Sequence, residues 1–134
     1  GTKNLKVTIT GGGASWGKQS TSNAARSGGA GGTMIAWLDV PAGNINITVG
    51  SGGAAVTVVG SAGNPGGDSS FGSLIIAKGG TTDNGKGGGG EGTGFIINGG
   101  NGSSASADAT AKTYGGASYW GCGGAGGVTA SYIY

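Results

Sequence analysis

Glycine occupies 37 of the 134 positions and is spread along the whole chain rather than gathered in one linker. Fixing one backbone residue costs about 1–2 kcal/mol, and glycine has no side chain whose burial offsets that cost. Such a chain folds only if its backbone groups hydrogen-bond extensively to one another. Leu, Ile, Val and Phe together number 21, too few for a large apolar core, and so low a share ordinarily accompanies disorder. Disordered chains of that kind are also highly charged, whereas seven Lys and Arg stand here against five Asp and Glu, a net charge of +2. Glycine is therefore expected to be structural.

The length suits one domain. It is expected to be mainly β-strand over 1–60 and mainly glycine-rich segments over 60–134, closing on a C-terminal strand. Apolar residues recur with period two at Leu5, Val7 and Ile9, at Ile35 and Trp37 with Leu38 and Val40, at Ile45, Ile47 and Val49, and at Val56 and Val58. Pro41-Ala42-Gly43-Asn44 carries turn chemistry between two of these runs, which predicts a β-hairpin over 34–49. Further strands are expected at 73–77, 95–98 and 128–134. Trp37, amid alternating neighbours, is expected in the core. No window has the helical period, and glycine opposes a helix by about 1 kcal/mol per residue.

Glycine-rich runs cover 11–13, 28–32, 50–53, 60–67, 79–80, 85–94, 99–102 and 115–127. Spacing of three appears locally, at Gly60, Gly63 and Gly66 and at Gly121, Gly124 and Gly127, but without the unbroken triplet and the proline of collagen. Polyproline II backbone has three residues per turn and no internal hydrogen bonds. Several such segments can bond laterally where only glycine lets the backbones approach. The expected fold is all-β and irregular, with short antiparallel strands, a bundle of polyglycine II-like segments and essentially no α-helix. The alternative is glycine-rich loops around a small sandwich. Valine at Gly88 or Gly124 distinguishes the two, since only packed backbones are forced apart by it.

Several chemistries are absent. With no histidine, the Ser-His-Asp and Cys-His nucleophile systems and the commonest transition-metal ligand are missing. Asp39, Asp68, Asp83, Glu91 and Asp108 are isolated from one another in sequence, so no paired acid and base is visible. No enzyme activity, metal or cofactor is expected. Two near matches to the phosphate-binding loop, at 12–19 and 80–87, end in Gln19 and Gly87 where Ser or Thr is required. The calcium nonapeptide is not met, and Asp83-Asn84-Gly85 reads as a turn. Asn46-Ile47-Thr48 and Asn101-Gly102-Ser103 are formal glycosylation sequons only. Scattered basic residues give no stripe for nucleic acid, and no apolar run or leader pattern points to membrane insertion or a signal peptide. The sequence opens on Gly1 and not on Met, so a further upstream domain is expected. Cys122, between Gly121 and Gly123, is expected to be a small buried hydrophobe.

Nine aromatic residues remain. Trp16 stands in Gly13–Gln19, and Tyr114, Tyr119 and Trp120 stand in Tyr114–Gly121, both in small-residue surroundings. Rings on glycine-anchored turns offer amphipathic contact area suited to sugars or protein partners. Equally, they can cap a bundle and shield its backbone bonds. The glycine-poor stretches 14–27 and 103–114 are rich in Ser, Thr, Ala and Asn, and loops on a rigid scaffold are the usual seat of recognition.

The strings Val7-Thr8-Ile9-Thr10-Gly11-Gly12-Gly13, Ile47-Thr48-Val49-Gly50-Ser51-Gly52-Gly53, Gly66-Gly67-Asp68-Ser69-Ser70-Phe71-Gly72 and Ala77-Lys78-Gly79-Gly80 resemble the glycine-rich domain at the tips of bacteriophage tail fibres. Related adhesins of T-even-like phages have a polyglycine II sandwich whose glycine motifs alternate with variable, receptor-contacting loops. The resemblance implies a host-recognition tip on the distal tail fibre of a virion, acting outside the host cell. Its implied partners are an outer-membrane protein or surface glycan and an upstream fibre domain, with a homotrimer as one arrangement. The matching motifs are scaffold. Trp16, Lys18, Gln19, Asp83, Asn84, Lys86, Tyr114, Tyr119 and Trp120 fall in the variable intervals and are the expected receptor-binding residues. A structural subunit of a fibre, filament or virion decoration would also explain edge-prone strands and low charge. An ice-binding protein would need long runs of G-x-x triplets that this chain lacks.

Overall fold

The alternation of Leu5, Val7 and Ile9 with Lys6 and Thr8 forms the strand it predicts, because one face meets a core and the other meets solvent. A computed structural model describes residues 3–17, 27–39, 41–82, 84–103 and 113–123. Their strands are β1 (Asn4–Thr10), β2 (Thr33–Asp39), β3 (Ile47–Thr48), β4 (Ser69–Phe71), β5 (Ile75–Ala77), β6 (Gly90–Gly92) and β7 (Phe95–Ile97). One sheet has the order β1-β2-β7 and the other β3-β4-β5-β6, and every strand pair is antiparallel. No helix occurs among the described residues. The architecture is all-β and irregular, as the glycine content dictates. The sheets pack through Met34 and Ala36 on one side and Phe71, Ile75 and Ala77 on the other, with Leu5, Val7, Ile9, Leu38 and Ile45 around them. Met34 and Ile75 are fully buried, each contributing about 1.5–3 kcal/mol. Gly90 makes room for Met34, whose Sδ occupies the place a Cβ at 90 would take.

The hairpin expected over 34–49 does not form. β2 is bonded to β1 along its whole length on one edge and to β7 over Thr33–Ile35 on the other; β3 joins the opposite sheet instead, pairing with β4 through Ile47↔Phe71 and Thr48↔Ser70, where the neighbouring Ile45 packs against the shared core. The turn at Pro41–Gly43, with Gly43 at φ 85°, carries the chain from one sheet to the other. A true hairpin lies instead at β4–β5, with Ser69↔Ala77 and Phe71↔Ile75 in register around Gly72. Val56 and Val58 are not in a strand; the chain turns there, with Ser61 N donating to Val58 O at 3.4 Å. The strand expected at 73–77 is confined to 75–77 and that at 95–98 to 95–97. Trp37 is not in the core. It points outward from β2 and is 67% exposed, because the inward positions of that strand are Met34, Ala36 and Leu38. Cys122 is exposed rather than buried. Val40, Gly124 and the expected strand 128–134 lie outside the described residues.

Each strand is continuous at one of its two ends with a glycine-rich segment, and these segments form a bundle at one end of the sandwich. Their lateral bonds repeat every third residue. Gly11 and Ala14 donate to Gly32 and Gly29; Gly12 and Ser15 donate to Gly67 and Asn64; Gly99 and Gly102 donate to Gly88 and Gly85; Gly100 and Ser103 donate to Ala117 and Tyr114. As the donor number rises by three the acceptor falls by three, so these neighbours are antiparallel threefold screws, the repeat of polyproline II. The buried segment 27–32 exchanges backbone bonds with five others, at 11–14, 78–81, 88, 100–103 and 116. A strand in a sheet has two neighbours. A segment with five is part of a bundle, and its crowding leaves no space for a side chain at its glycines: a Cβ at Gly31 would fall on the Gly11 carbonyl oxygen.

Polar side chains lock the bundle to the sandwich. Thr10 and Thr33 hydroxyls meet at 2.8 Å, and Ser69 Oγ donates to Thr10 O at 2.7 Å while accepting from Gly50 N at 2.9 Å. Nearby, Lys78 Nζ bridges Asp68 and Glu91 at 3.0 and 3.2 Å, and Asp68 Oδ1 accepts from Gly79 N at 2.8 Å.

Candidate functional site

Because strands and segments alternate along the chain, the connections between bundle segments collect at the end away from the sandwich. Gly17 and Ser27 lie there, with the turn between Ala54 and Gly63, the Asn84-Gly85 turn, Ser103 and Thr113. These ends are tied together. Ser15 N donates to Asn64 O at 2.9 Å, Asn64 N donates back to Ser15 Oγ at 2.8 Å, and Asn64 Nδ2 reaches Ala54 O at 3.0 Å. On the other flank Ser27 N donates to Ser103 O, Gly102 N to Gly85 O and Ser103 N to Tyr114 O, while Tyr114 N donates to Ser103 Oγ at 2.6 Å.

Four of the expected recognition residues share this end. Trp16 and Tyr114 are about half exposed, at 52% and 51%, and Asn84 and Lys86 are exposed. Asn84 and Gly85 have φ of 53° and 66°, the pair of positive values that a tight type I′ reversal requires and that Asn-Gly supplies. Thr81 N and Oγ1 both donate to Lys86 O, which closes that reversal. Lys18, Gln19 and Asp83 lie outside the described residues.

Tyr119 and Trp120 stand elsewhere. Their turn closes through Ser118 and Gly121, the rings meet edge to face at 4.8 Å, and Trp120 Nε1 donates to Thr10 Oγ1 at 2.9 Å. Thr10 ends β1, so this pair sits where bundle and sandwich join. The structure therefore divides the expected residues into an end group and a side pair.

Among the described residues no three His, Cys, Asp or Glu side chains cluster as metal ligands would. An open depression of about 510 Å³ lies at the sandwich turns around Asn44, Ile45, Ser73 and Leu74. Another of about 330 Å³ runs along the bundle between Thr10–Ala14 and Gly115–Ser118. No ionisable side chain lines either one.

Residues 1–133 match the family model described as glycine-rich domain. The chain belongs to that glycine-rich domain family. No curated protein and no solved structure matches it.

The glycine-rich domain also exposes residues at the bundle end that the sequence pattern conceals. Val58 and Val59 are 65% and 58% exposed, on the turn that Gly60 closes at φ 88°. Their alternation with Val56 imitates a strand. The signal pointing the other way is Gly60-Ser61 immediately after them, turn chemistry at the end of a short apolar run.

Proposed function

We propose that this glycine-rich domain is the receptor-binding tip of a bacteriophage tail fibre, which attaches the virion to a protein or glycan of the bacterial surface without chemical conversion and without a cofactor. The observation that carries this reading is the collection of Trp16, Val58, Val59, Asn84, Lys86 and Tyr114 at one end of a bundle whose interior holds almost no side chains. Sequence can vary there without disturbing the bundle's backbone bonds, the property a recognition surface needs. β1 enters at the opposite, sandwich end, so a fibre joined upstream would hold the bundle end outward, toward the host.

Binding of the labelled chain to a panel of bacterial strains, with competition by purified surface glycan and outer-membrane protein, tests this. Saturable binding to a few strains, competed by one ligand class, supports the tip. A chain that binds no strain and polymerises instead supports a structural subunit. One feature favours that second reading: β1 is a seven-residue edge strand with no partner on its outer side among the described residues, a surface open to another strand.

A further inference from the structure

The outward positions of the β1-β2-β7 sheet follow from its register and its core. Met34, Ala36, Leu38, Leu5, Val7 and Ile9 face the opposite sheet, so Ile35, Trp37, Lys6, Thr8 and Thr10 face away, joined by Phe95, which pairs with Ile35. Trp37 and Phe95 are 67% and 64% exposed. Trp120, 68% exposed, rests over the bundle end of the same face through its bond to Thr10, whose register partner is Thr33. Trp120, Phe95 and Trp37 thus follow one another along the strand direction, from the level of Thr33 to that of Trp37, a row of about 14 Å.

We propose that this row is a carbohydrate-binding platform for a linear oligosaccharide, a surface separate from the bundle-end loops and independent of the reading given to them. Three rings each exposed by about two-thirds present on the order of 400 Å², well below the roughly 800 Å² per partner of a stable protein interface. The strip is as narrow as two strands, about 10 Å. An extended sugar chain matches that shape. Pyranose rings have apolar C–H faces that stack on aromatic faces and hydroxyl rims that take hydrogen bonds. On this sheet face the aromatic row is bordered along β1 by the amide, ammonium and hydroxyl of Asn4, Lys6 and Thr8, with the Asp39 carboxylate opposite Asn4. Lys6 Nζ lies 5.2 Å from the centroid of Trp37, a cation–π contact that positions the indole before ligand arrives. Placement of Trp37 and Phe95 on paired strands also keeps the ordering cost of binding low.

Titration of the full chain with chitohexaose and, separately, cellohexaose, followed by calorimetry and tryptophan fluorescence, tests the platform. The expected result is saturable binding of at least one hexasaccharide, with Trp37→Ala and Phe95→Ala each raising Kd about tenfold or more and Val49→Ala, an exposed residue outside the row, leaving it unchanged. Both aromatic side chains are solvent-exposed, and matching melting curves confirm folding; Phe95→Leu replaces the alanine variant should β7 loosen. Three results overturn the proposal: neither sugar bound at about 10 mM, which leaves less than about 3 kcal/mol of affinity; Kd within twofold of the parent in both ring variants; or concentration-dependent dimerisation that Trp37→Ala abolishes, which makes the face a contact between copies.

Discussion

The amide of Ala30 donates to the carbonyl of Gly100 at 3.1 Å, joining segments seventy positions apart in sequence, and neither residue is in a strand. Bonds of this kind hold the bundle together. Each is worth only about 0.5–1.5 kcal/mol net, so the fold depends on having many of them and on nothing separating the backbones that make them.

Glycine is therefore indispensable at some positions and replaceable at others. At Gly31 an added Cβ would fall on the Gly11 carbonyl, whereas at Gly52 the nearest atom, Gly13 O, is 3.8 Å away. Gly31→Ala is expected to cost about 3 kcal/mol or more, since the Gly11 backbone it would meet is itself held by its bond to Gly32 and cannot yield. Gly52→Ala is expected to be neutral or to stabilise by up to about 1 kcal/mol, by restricting the unfolded chain. Chemical denaturation of the two variants checks this contrast.

Hydrogen exchange reports the bundle directly. The amides of Ala30 and Gly32, bonded inside the buried segment, are expected to exchange near the global unfolding limit. The amide of Ser61, in an exposed turn with a 3.4 Å bond, is expected to exchange orders of magnitude faster. Equal rates at these sites would mean that the glycine segments are loops.

Asp68 confers a pH dependence. The hydrogen bond its carboxylate accepts from the Gly79 amide is the largest influence, and with the bond and charge of Lys78 it outweighs the opposing desolvation and holds the pKa below the ordinary 3.8. A carboxyl whose folded pKa is depressed stabilises the fold above its unfolded pKa and loses that contribution as pH falls through the folded value. The melting temperature is thus expected to be insensitive to Asp68 above about pH 5 and to fall below about pH 4. Asp68→Asn should flatten that acid limb, with a loss at neutral pH of about 1 kcal/mol or less because the pair is solvent-screened.

Much of this architecture is legible in the sequence because two of its causes are local. Period two in 5–9 and 35–38 identifies β1 and β2, and glycine density identifies a backbone-bonded bundle. What the sequence conceals is long-range. Turn chemistry at 41–44 is the same whether the chain folds back on β2 or arches to the other sheet; the partner that decides, β4 at Ser69–Phe71, lies more than twenty positions further along the chain. Trp37 alternates correctly, but alternation does not say which face is inward when Leu38 and Met34 compete for it. Of the candidate site, Trp16, Asn84, Lys86 and Tyr114 are found at one end from loop position alone, whereas Trp120 is drawn to the sheet by Thr10, 110 positions away.

Thr10 tests that junction. Thr10→Val removes the hydroxyl that meets Thr33 Oγ1 and Trp120 Nε1, leaving the fully buried Thr33 without this partner. A loss of about 1–3 kcal/mol is expected in thermal or chemical denaturation, with Trp120→Phe, which leaves the Thr10–Thr33 pair intact, costing about 1 kcal/mol or less.

The most direct test of recognition at the bundle end compares binding of the parent chain, Trp16→Ala and Tyr114→Ala to a bacterial strain that the parent binds saturably, with melting curves run in parallel. We expect each substitution to weaken binding by about 2 kcal/mol, roughly thirtyfold, while the melting temperature stays within a few degrees. Parent-like binding by both folded variants would contradict a receptor site at that end of the bundle.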